Sequence, residues 1–163
     1  MIHKDMSPEE VLQLTRDEQR THEGCKYGSG YLTEEDLTNI AHHIGITETE
    51  LKEKYLEEAE KFSTKTHRPK LIRKGKPYGQ CIFLKEGKCS IEKVKPFHCR
   101  ISNHGKTSEM VQQWFDLNFF VDPENPNSIR EYAQVLKVRE PIKGGRLEDI
   151  VPKHKLKEIL KEE

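Results

Sequence analysis

Apolar positions recur at helical spacing in two consecutive stretches of the chain. The first set is Leu37, Ile40, Ala41 and Ile44, and the second is Leu51, Tyr55, Leu56, Ala59 and Phe62. Each set follows a capping signal, Thr33 with Asp36 and Thr47 with Glu50. Gly45 lies after the first set, where a glycine typically ends a helix. We therefore predict one helix from Thr33 to Gly45 and another from Thr47 to Phe62.

Four further stretches are predicted to be helical. Ser7-Pro8-Glu9-Glu10 combines an N-cap, a proline at the first helical position and a glutamate at the third, which predicts a helix from Ser7 to about Glu23. Helical spacing also predicts helices over 107–119 and 128–137, and a charged tail helix is predicted over 152–163. The inward positions of the first two are Met110, Val111, Trp114, Phe115, Ile129, Tyr132, Ala133 and Leu136. We interpret the stripe of Trp114 and Phe115 as core.

The helical period is absent between Ser63 and Gly105. Prolines and glycines interrupt this stretch, and three of the four cysteines of the chain lie in it. Short strands are predicted at Leu71–Ile72 and from Cys81 to Leu84, with a turn over 85–88. The pattern as a whole predicts a mainly α protein. We expect a small single domain over 1–163, with capped helices around an irregular, metal-organised loop that contains the cysteines and a short β-hairpin.

Composition points to a second source of stability. Hydrophobic residues make up 33% of the chain and charged residues 34%, so the apolar core is thin and a bound metal is a natural cross-link. Basic and acidic residues are equal at 28 each, so no global charge attracts nucleic acid or a membrane. The first residues hold no apolar run typical of a signal peptide, and the cluster 119–121 is too short to span a bilayer. We expect a cytoplasmic protein without a membrane partner.

The four cysteines are the strongest chemical signal. In a reducing compartment metal binding or redox chemistry is a better expectation than disulfides, and the alternative is that the thiols are buried core residues. Seven residues separate Cys81 from Cys89, nine separate Cys89 from Cys99, and Cys25 lies far upstream. None forms the CxxC pair that is usual in zinc sites, whereas iron–sulfur clusters accept thiolates from scattered loops. Spacing therefore favours iron without deciding the metal.

The stretch Gly79 to Arg100, GQCIFLKEGKCSIEKVKPFHCR, resembles the C-terminal signature of the YkgJ-type cysteine-cluster family, the zinc- or iron-chelating CxxCxxCC proteins. The matching positions are Cys81, Phe83, Leu84, Cys89, Ile91, Lys95, Pro96, Cys99 and Arg100. Upstream, Gly24-Cys25 followed by Leu32-Thr33 is similar to the end of the family's N-terminal cluster. The resemblance covers 21–104 and leaves the C-terminal helices of 105–163 outside it. It implies that the protein binds zinc or iron.

This chain also departs from the family pattern. Only Cys25 remains of an N-terminal cluster that usually carries several cysteines, and Ile101-Ser102 stands where phenylalanine and proline are common. We expect a single site with Cys25, Cys81, Cys89 and Cys99 as ligands. Four thiolates close the coordination sphere, which suits structural zinc or an electron-transfer cluster, whereas three thiolates and an open position suit catalysis.

Three residues near the cysteines are candidates for supporting roles. His22 and His98 are candidate neighbours or replacement ligands. Arg100 is a candidate either to balance the negative charge of the thiolates or to pair with a surface carboxylate. The sequence names no reaction, so whether the protein is an enzyme is left open. An iron–sulfur cluster or iron, with zinc as the alternative, implies electron transfer or redox sensing with a redox partner protein.

Two other functions stay open. Six basic residues and no acidic one lie between Lys65 and Lys76, so zinc could staple a module that contacts nucleic acid or protein through the 65–76 segment. A solvated loop is the simpler interpretation of that charge. The third reading is a thiol-redox protein in which Cys81, Cys89 or Cys99 forms reversible disulfides.

Overall fold

A computed structural model describes residues 1–18 and 24–161, and the mainly α prediction is confirmed, with 47% of the chain in helices. The α-helices are α1 (Pro8–Thr15), α2 (Glu34–Ile44), α3 (Glu48–Tyr55), α4 (Phe97–Ile101), α5 (Ser108–Phe119), α6 (Pro126–Val135), α7 (Leu147–Ile150) and α8 (Lys153–Lys161). The strands are β1 (Leu56–Lys61), β2 (Thr64–Pro69), β3 (Leu71–Ile72), β4 (Gln80–Cys81), β5 (Leu84–Lys85) and β6 (Lys88–Cys89). Short 3-10 turns lie at Gly24–Lys26 and Glu92–Val94.

The chain divides into two compact units. One contains Met1–Asp17, Glu60–Thr64 and Gly105–Glu163, and we call it the aromatic unit. The other contains Glu18–Ala59 and Lys65–His104 and holds all four cysteines, and we call it the cysteine unit. Each unit is assembled from separate chain segments, so neither corresponds to one continuous stretch of sequence. A single domain over 1–163 stays a prediction.

In the cysteine unit the predicted start of α2 is confirmed. The Asp36 N–H donates to Thr33 Oγ1 (3.2 Å) and the Thr33 N–H donates to Asp36 Oδ2 (2.8 Å), which is the reciprocal pattern of a capping box. Gly45 ends α2 in the left-handed conformation at φ 85°. Asp36 also accepts from the Phe97 N–H (3.1 Å) at the start of α4. This carboxylate therefore ties α2 to the helix that carries Cys99.

The core of the cysteine unit contains helix residues and a cysteine together. Its buried members are Leu32, Ile40, Ala41, Leu51, Leu56, Cys81, Phe83, Leu84 and Ile91. Cys25 and Cys89 pack against this cluster and are partly buried. Helices α2 and α3 and the cysteine-bearing loops therefore share one core.

The predicted extension of α3 to Phe62 is wrong. The helix ends at Tyr55, and Leu56–Lys61 forms β1, which pairs with β2. The segment has strong helix formers, but contacts from distant parts of the chain favour the strand. The Glu57 carboxylate accepts from Arg73 Nη1 (2.8 Å), from Arg73 Nη2 (2.7 Å) and from the Leu71 N–H (3.1 Å). Local sequence carries no signal for these bonds, because their donors lie 14 and 16 residues further on.

Short antiparallel pairs carry two of the cysteines. Leu71 pairs with Cys81 between β3 and β4, and Leu84 pairs with Cys89 between β5 and β6. Glu86 and Gly87 connect β5 to β6 with positive φ angles of 50° and 77°, which is the pattern of a type I′ hairpin turn. The predicted strand at Leu71–Ile72 and the turn over 85–88 are confirmed. Helix α4, which carries Cys99, was not predicted.

The aromatic unit has a large apolar core. Trp114 and Phe115 of α5 and Tyr132 of α6 are fully buried, so the core interpretation of the Trp and Phe stripe is confirmed. Their polar atoms have partners: Trp114 Nε1–H donates to the Met6 carbonyl (3.1 Å), and the Tyr132 hydroxyl donates to the Gly145 carbonyl. The predicted tail helix is present as α8.

The first predicted helix starts as expected and ends early. Ser7 and Glu10 form the capping box, but α1 ends at Thr15. Residues 19–23, the last part of the predicted helix, lie outside the described residues.

Candidate metal centre

The four cysteines come from four different elements of the cysteine unit. Cys25 lies in the 3-10 turn Gly24–Lys26, Cys81 ends β4, Cys89 ends β6, and Cys99 is in the middle of α4. All four are free thiols. The turn that holds Cys25 contacts β4 directly, which brings the most distant cysteine in sequence to the strand that ends in Cys81.

The thiols are close enough to act on one another's ionisation. Burial raises the pKa of Cys81 to about 11 and that of Cys99 to about 12, and it also raises the pKa of Cys25 and of Cys89. Negative charge on Cys25 further raises the pKa of each of the other three thiols. Without a cation the thiols are therefore held in the protonated form, in which cysteine is a poor nucleophile.

Backbone N–H groups partly oppose the effect of burial on the thiols. The N–H groups of Phe83 and Leu84 lower the pKa of Cys81, and the N–H of Ile91 lowers the pKa of Cys89. The Gly30 N–H lowers the pKa of Cys99. Each of these groups favours the thiolate, against the larger effect of burial. Hydrogen bonds from backbone N–H groups stabilise metal-bound thiolates and tune the potential of iron–sulfur centres.

Lys95 supplies the positive charge that acts on the thiols. Its ammonium lowers the pKa of Cys25, Cys89 and Cys99, each against the larger effect of burial. The Lys95 side chain is largely buried, and Nζ lies 3.6 Å from Glu92 Oε2. Sequence analysis named Arg100 as a candidate for this role, and the structure places Arg100 as an exposed residue. The sequence analysis named Lys95 only as a position that matches the family signature. It did not predict the effect of Lys95 on the thiols, because the position of Lys95 relative to Cys25 depends on the tertiary structure.

His98 positions the backbone that reaches Cys99. The Tyr31 N–H donates to His98 Nδ1 (3.1 Å), and the imidazole stacks on the Tyr31 ring at a centroid distance of 5.7 Å. A Cβ added to Gly30 would lie 2.5 Å from Cys99 Sγ, so only glycine permits this approach of backbone to sulfur. The sequence analysis did not identify this contact. His22 lies outside the described residues.

The thiols are gathered but not positioned as ligands of one ion. Within residues 1–18 and 24–161, no group of three or more His, Cys, Asp or Glu side chains has the arrangement of a metal site. The donor set nevertheless fits a thiophilic metal, because four sulfurs share one unit and soft thiolate ligands suit such metals.

Three of the six basic residues between Lys65 and Lys76 are engaged within the cysteine unit. Arg68 Nε donates to Glu57 Oε2 (3.2 Å), Arg73 makes a two-pronged pair with the same carboxylate, and Lys70 Nζ donates to the Glu53 carbonyl (2.8 Å). The Arg73 guanidinium is the main cause that lowers the pKa of Glu57 to about 2. Half of the basic residues in this run therefore make hydrogen bonds or ion pairs within the cysteine unit.

No protein-family model, curated protein or solved structure matches this chain. The resemblance to the cysteine-cluster family stays an expectation drawn from the residues of 21–104. In the described part of the chain, no helix is both long enough and apolar enough to cross a membrane.

Proposed function

We propose that this protein binds a metal through Cys25, Cys81, Cys89 and Cys99, with an iron–sulfur cluster or iron favoured and zinc as the alternative. The observation that carries the proposal is that four thiols from distant parts of the chain lie in one unit, where charge on Cys25 raises the pKa of the other three. Backbone N–H groups and the Lys95 ammonium lower the pKa of these thiols and so favour thiolates. A cationic metal supplies the reason for deprotonation, since a coordinating thiol loses its proton outright.

The raised thiol pKa values favour metal binding over reversible disulfide chemistry. Thiol–disulfide exchange needs an accessible thiolate, whereas burial raises the pKa of Cys81 to about 11 and that of Cys99 to about 12. Electron transfer or redox sensing with a partner protein is the role that suits a closed four-thiolate iron site. Zinc in the same site would stabilise the loops instead.

The decisive experiment is anaerobic purification followed by elemental analysis and visible absorption. We expect bound iron and sulfide with visible absorption, while a colourless protein with one zinc per chain supports the alternative. Cys25→Ser, Cys81→Ser, Cys89→Ser and Cys99→Ser are each expected to lower metal content and melting temperature. A metal-free protein with an intact fold would contradict the proposal.

Ile40→Val is the matched control for these variants. It removes a buried methylene from the same core at a cost of about 1 kcal/mol, but leaves all four thiols in place. We expect it to lower the melting temperature and to keep the full metal content. If Cys25→Ser keeps full metal while the other three lose it, the site has three cysteines and an open fourth position, and catalysis becomes the better proposal.

A further inference from the structure

A second feature of the cysteine unit is a pocket of about 360 Å³ formed mainly by the loop between β3 and β4. Four basic residues, Lys26, Arg73, Lys74 and Lys76, contribute to its lining. Its described lining residues include no carboxylate. The volume lies within the range of small-molecule sites and suits a ligand about the size of a nucleotide.

The charge of the pocket remains positive after its internal ion pairs are counted. Arg73 is paired with Glu57, but Arg68 donates to the same carboxylate, so two guanidinium groups share one negative charge. Lys74 and Lys76 are exposed residues of the turn that follows Arg73. Lys74 and Gly75 have positive φ angles of 47° and 81°, and the Lys76 N–H donates to the Arg73 carbonyl (3.0 Å). This tight turn presents the two lysines together and suits an anion.

The pocket also has exposed aromatic and apolar surface. Ile72 and Tyr78 line it and are each 46% exposed, and Tyr27, which is 58% exposed, lies beside Tyr78. The rings of Tyr27 and Tyr78 lie 6.0 Å apart, and Lys76 Nζ lies 5.5 Å from the centre of the Tyr78 ring. Exposed tyrosines beside lysines form the surface on which proteins stack bases while they hold phosphates. Tyr27 lies far from the basic run in sequence, so its position beside Tyr78 appears only in the fold.

We propose that this pocket binds a nucleoside phosphate, with its phosphate on Lys74 and Lys76 and its base against Tyr78. The ligand is either a free nucleotide or one nucleotide of a single-stranded nucleic acid, since both present the same phosphate and base. The proposal rests on the pocket alone and does not depend on the metal.

The test is calorimetric titration of the protein with UMP, uridine and inorganic phosphate, together with anisotropy of a labelled oligouridylate. We expect UMP to bind more tightly than uridine or phosphate alone, because only UMP carries both groups. Tighter binding of the oligouridylate than of UMP, with strong salt dependence, identifies a strand as the source; equal binding identifies the free nucleotide. Failure of both UMP and oligouridylate to bind would overturn the proposal.

Variants locate the ligand in the pocket. Lys74→Gln with Lys76→Gln is expected to weaken UMP binding at least about tenfold, through loss of charge-assisted hydrogen bonds. Lys85→Gln with Lys88→Gln makes the same charge change at the exposed β5–β6 turn and should leave binding unchanged. Tyr78→Leu should weaken UMP binding about tenfold and leave phosphate binding unchanged. Equal effects of the two lysine pairs, or no effect of Tyr78→Leu on UMP, would contradict the proposal.

Discussion

The aromatic unit and the cysteine unit are built around different kinds of core. The aromatic unit fully buries Trp114, Phe115 and Tyr132, each of which removes a large apolar area from water. Among the described residues of the cysteine unit, the largest side chains with less than 2% exposure are aliphatic: Ile40, Leu51 and Ile101. The cysteine unit also contains very short strands and four thiols with raised pKa values. The comparison indicates that aromatic burial stabilises the first unit, and under the proposed function a bound metal would add most to the stability of the second.

Metal removal should therefore destabilise the cysteine unit and leave the aromatic unit folded. This difference is the largest effect we expect. After chelation, amide protection should fall across 24–59 and 65–104, while α5 and α6 keep theirs. Trp114, the only tryptophan in the chain, lies in the aromatic unit, so its emission should stay unchanged and report that unit alone. Hydrogen exchange with mass spectrometry measures both halves of the prediction. Equal loss of protection in both units after complete metal removal would show that the comparison is wrong.

The same experiment tests how α2 and α3 respond to metal removal. Their caps and apolar faces suggest that they survive without the metal, but Ile40 and Leu51 share a core with Cys81 and Phe83. We therefore expect loosening to reach both helices when the cysteine loops open.

Gly30→Ala tests the close approach of backbone and sulfur. The new methyl would lie 2.5 Å from Cys99 Sγ, so the loop or the thiol must move, at an expected cost of about 1–3 kcal/mol together with lowered metal content. Gly28→Ala is the control, because a Cβ at Gly28 meets nothing within 4 Å. Thermal unfolding and metal analysis compare the two variants. If their melting temperatures and metal contents are the same, the contact of Gly30 with Cys99 is not important for the site.

The smallest expected effect concerns Glu57. The Arg73 guanidinium lowers the pKa of Glu57 from 4.5 to about 2, so the fold favours the ionised carboxylate. Its contribution to stability is present above about pH 4.5 and is lost as the pH falls toward 2. Glu57→Gln should cost about 1 kcal/mol at neutral pH, since solvent screens the partly exposed Arg73, and should flatten the acid dependence of unfolding.

Glu58→Gln is the control for this variant, because Glu58 is the exposed neighbour on the same strand. Denaturant unfolding between neutral and acidic pH compares the two. If the stability of Glu57→Gln falls with acid as much as that of the unchanged protein, the acid dependence comes from other carboxylates.

The sequence by itself determined the elements that depend on neighbouring residues. The caps at Ser7, Thr33 and Thr47, the end of α2 at Gly45 and the hairpin turn over 85–88 were all predicted, because their hydrogen bonds or special φ angles involve residues at most a few positions apart. The stripe of apolar residues in α5 was predicted for the same reason.

Only the tertiary structure decided the features that join distant residues. Strand β1 formed in place of the end of a predicted helix because Glu57 is bonded by Arg73 and Leu71, and Lys95 is a cation that lowers the pKa of Cys25 and Cys99. Cys25 reaches the other cysteines through the contact of its turn with β4. Each of these is a contact between segments far apart in sequence, and periodicity or capping carries no information about such a contact.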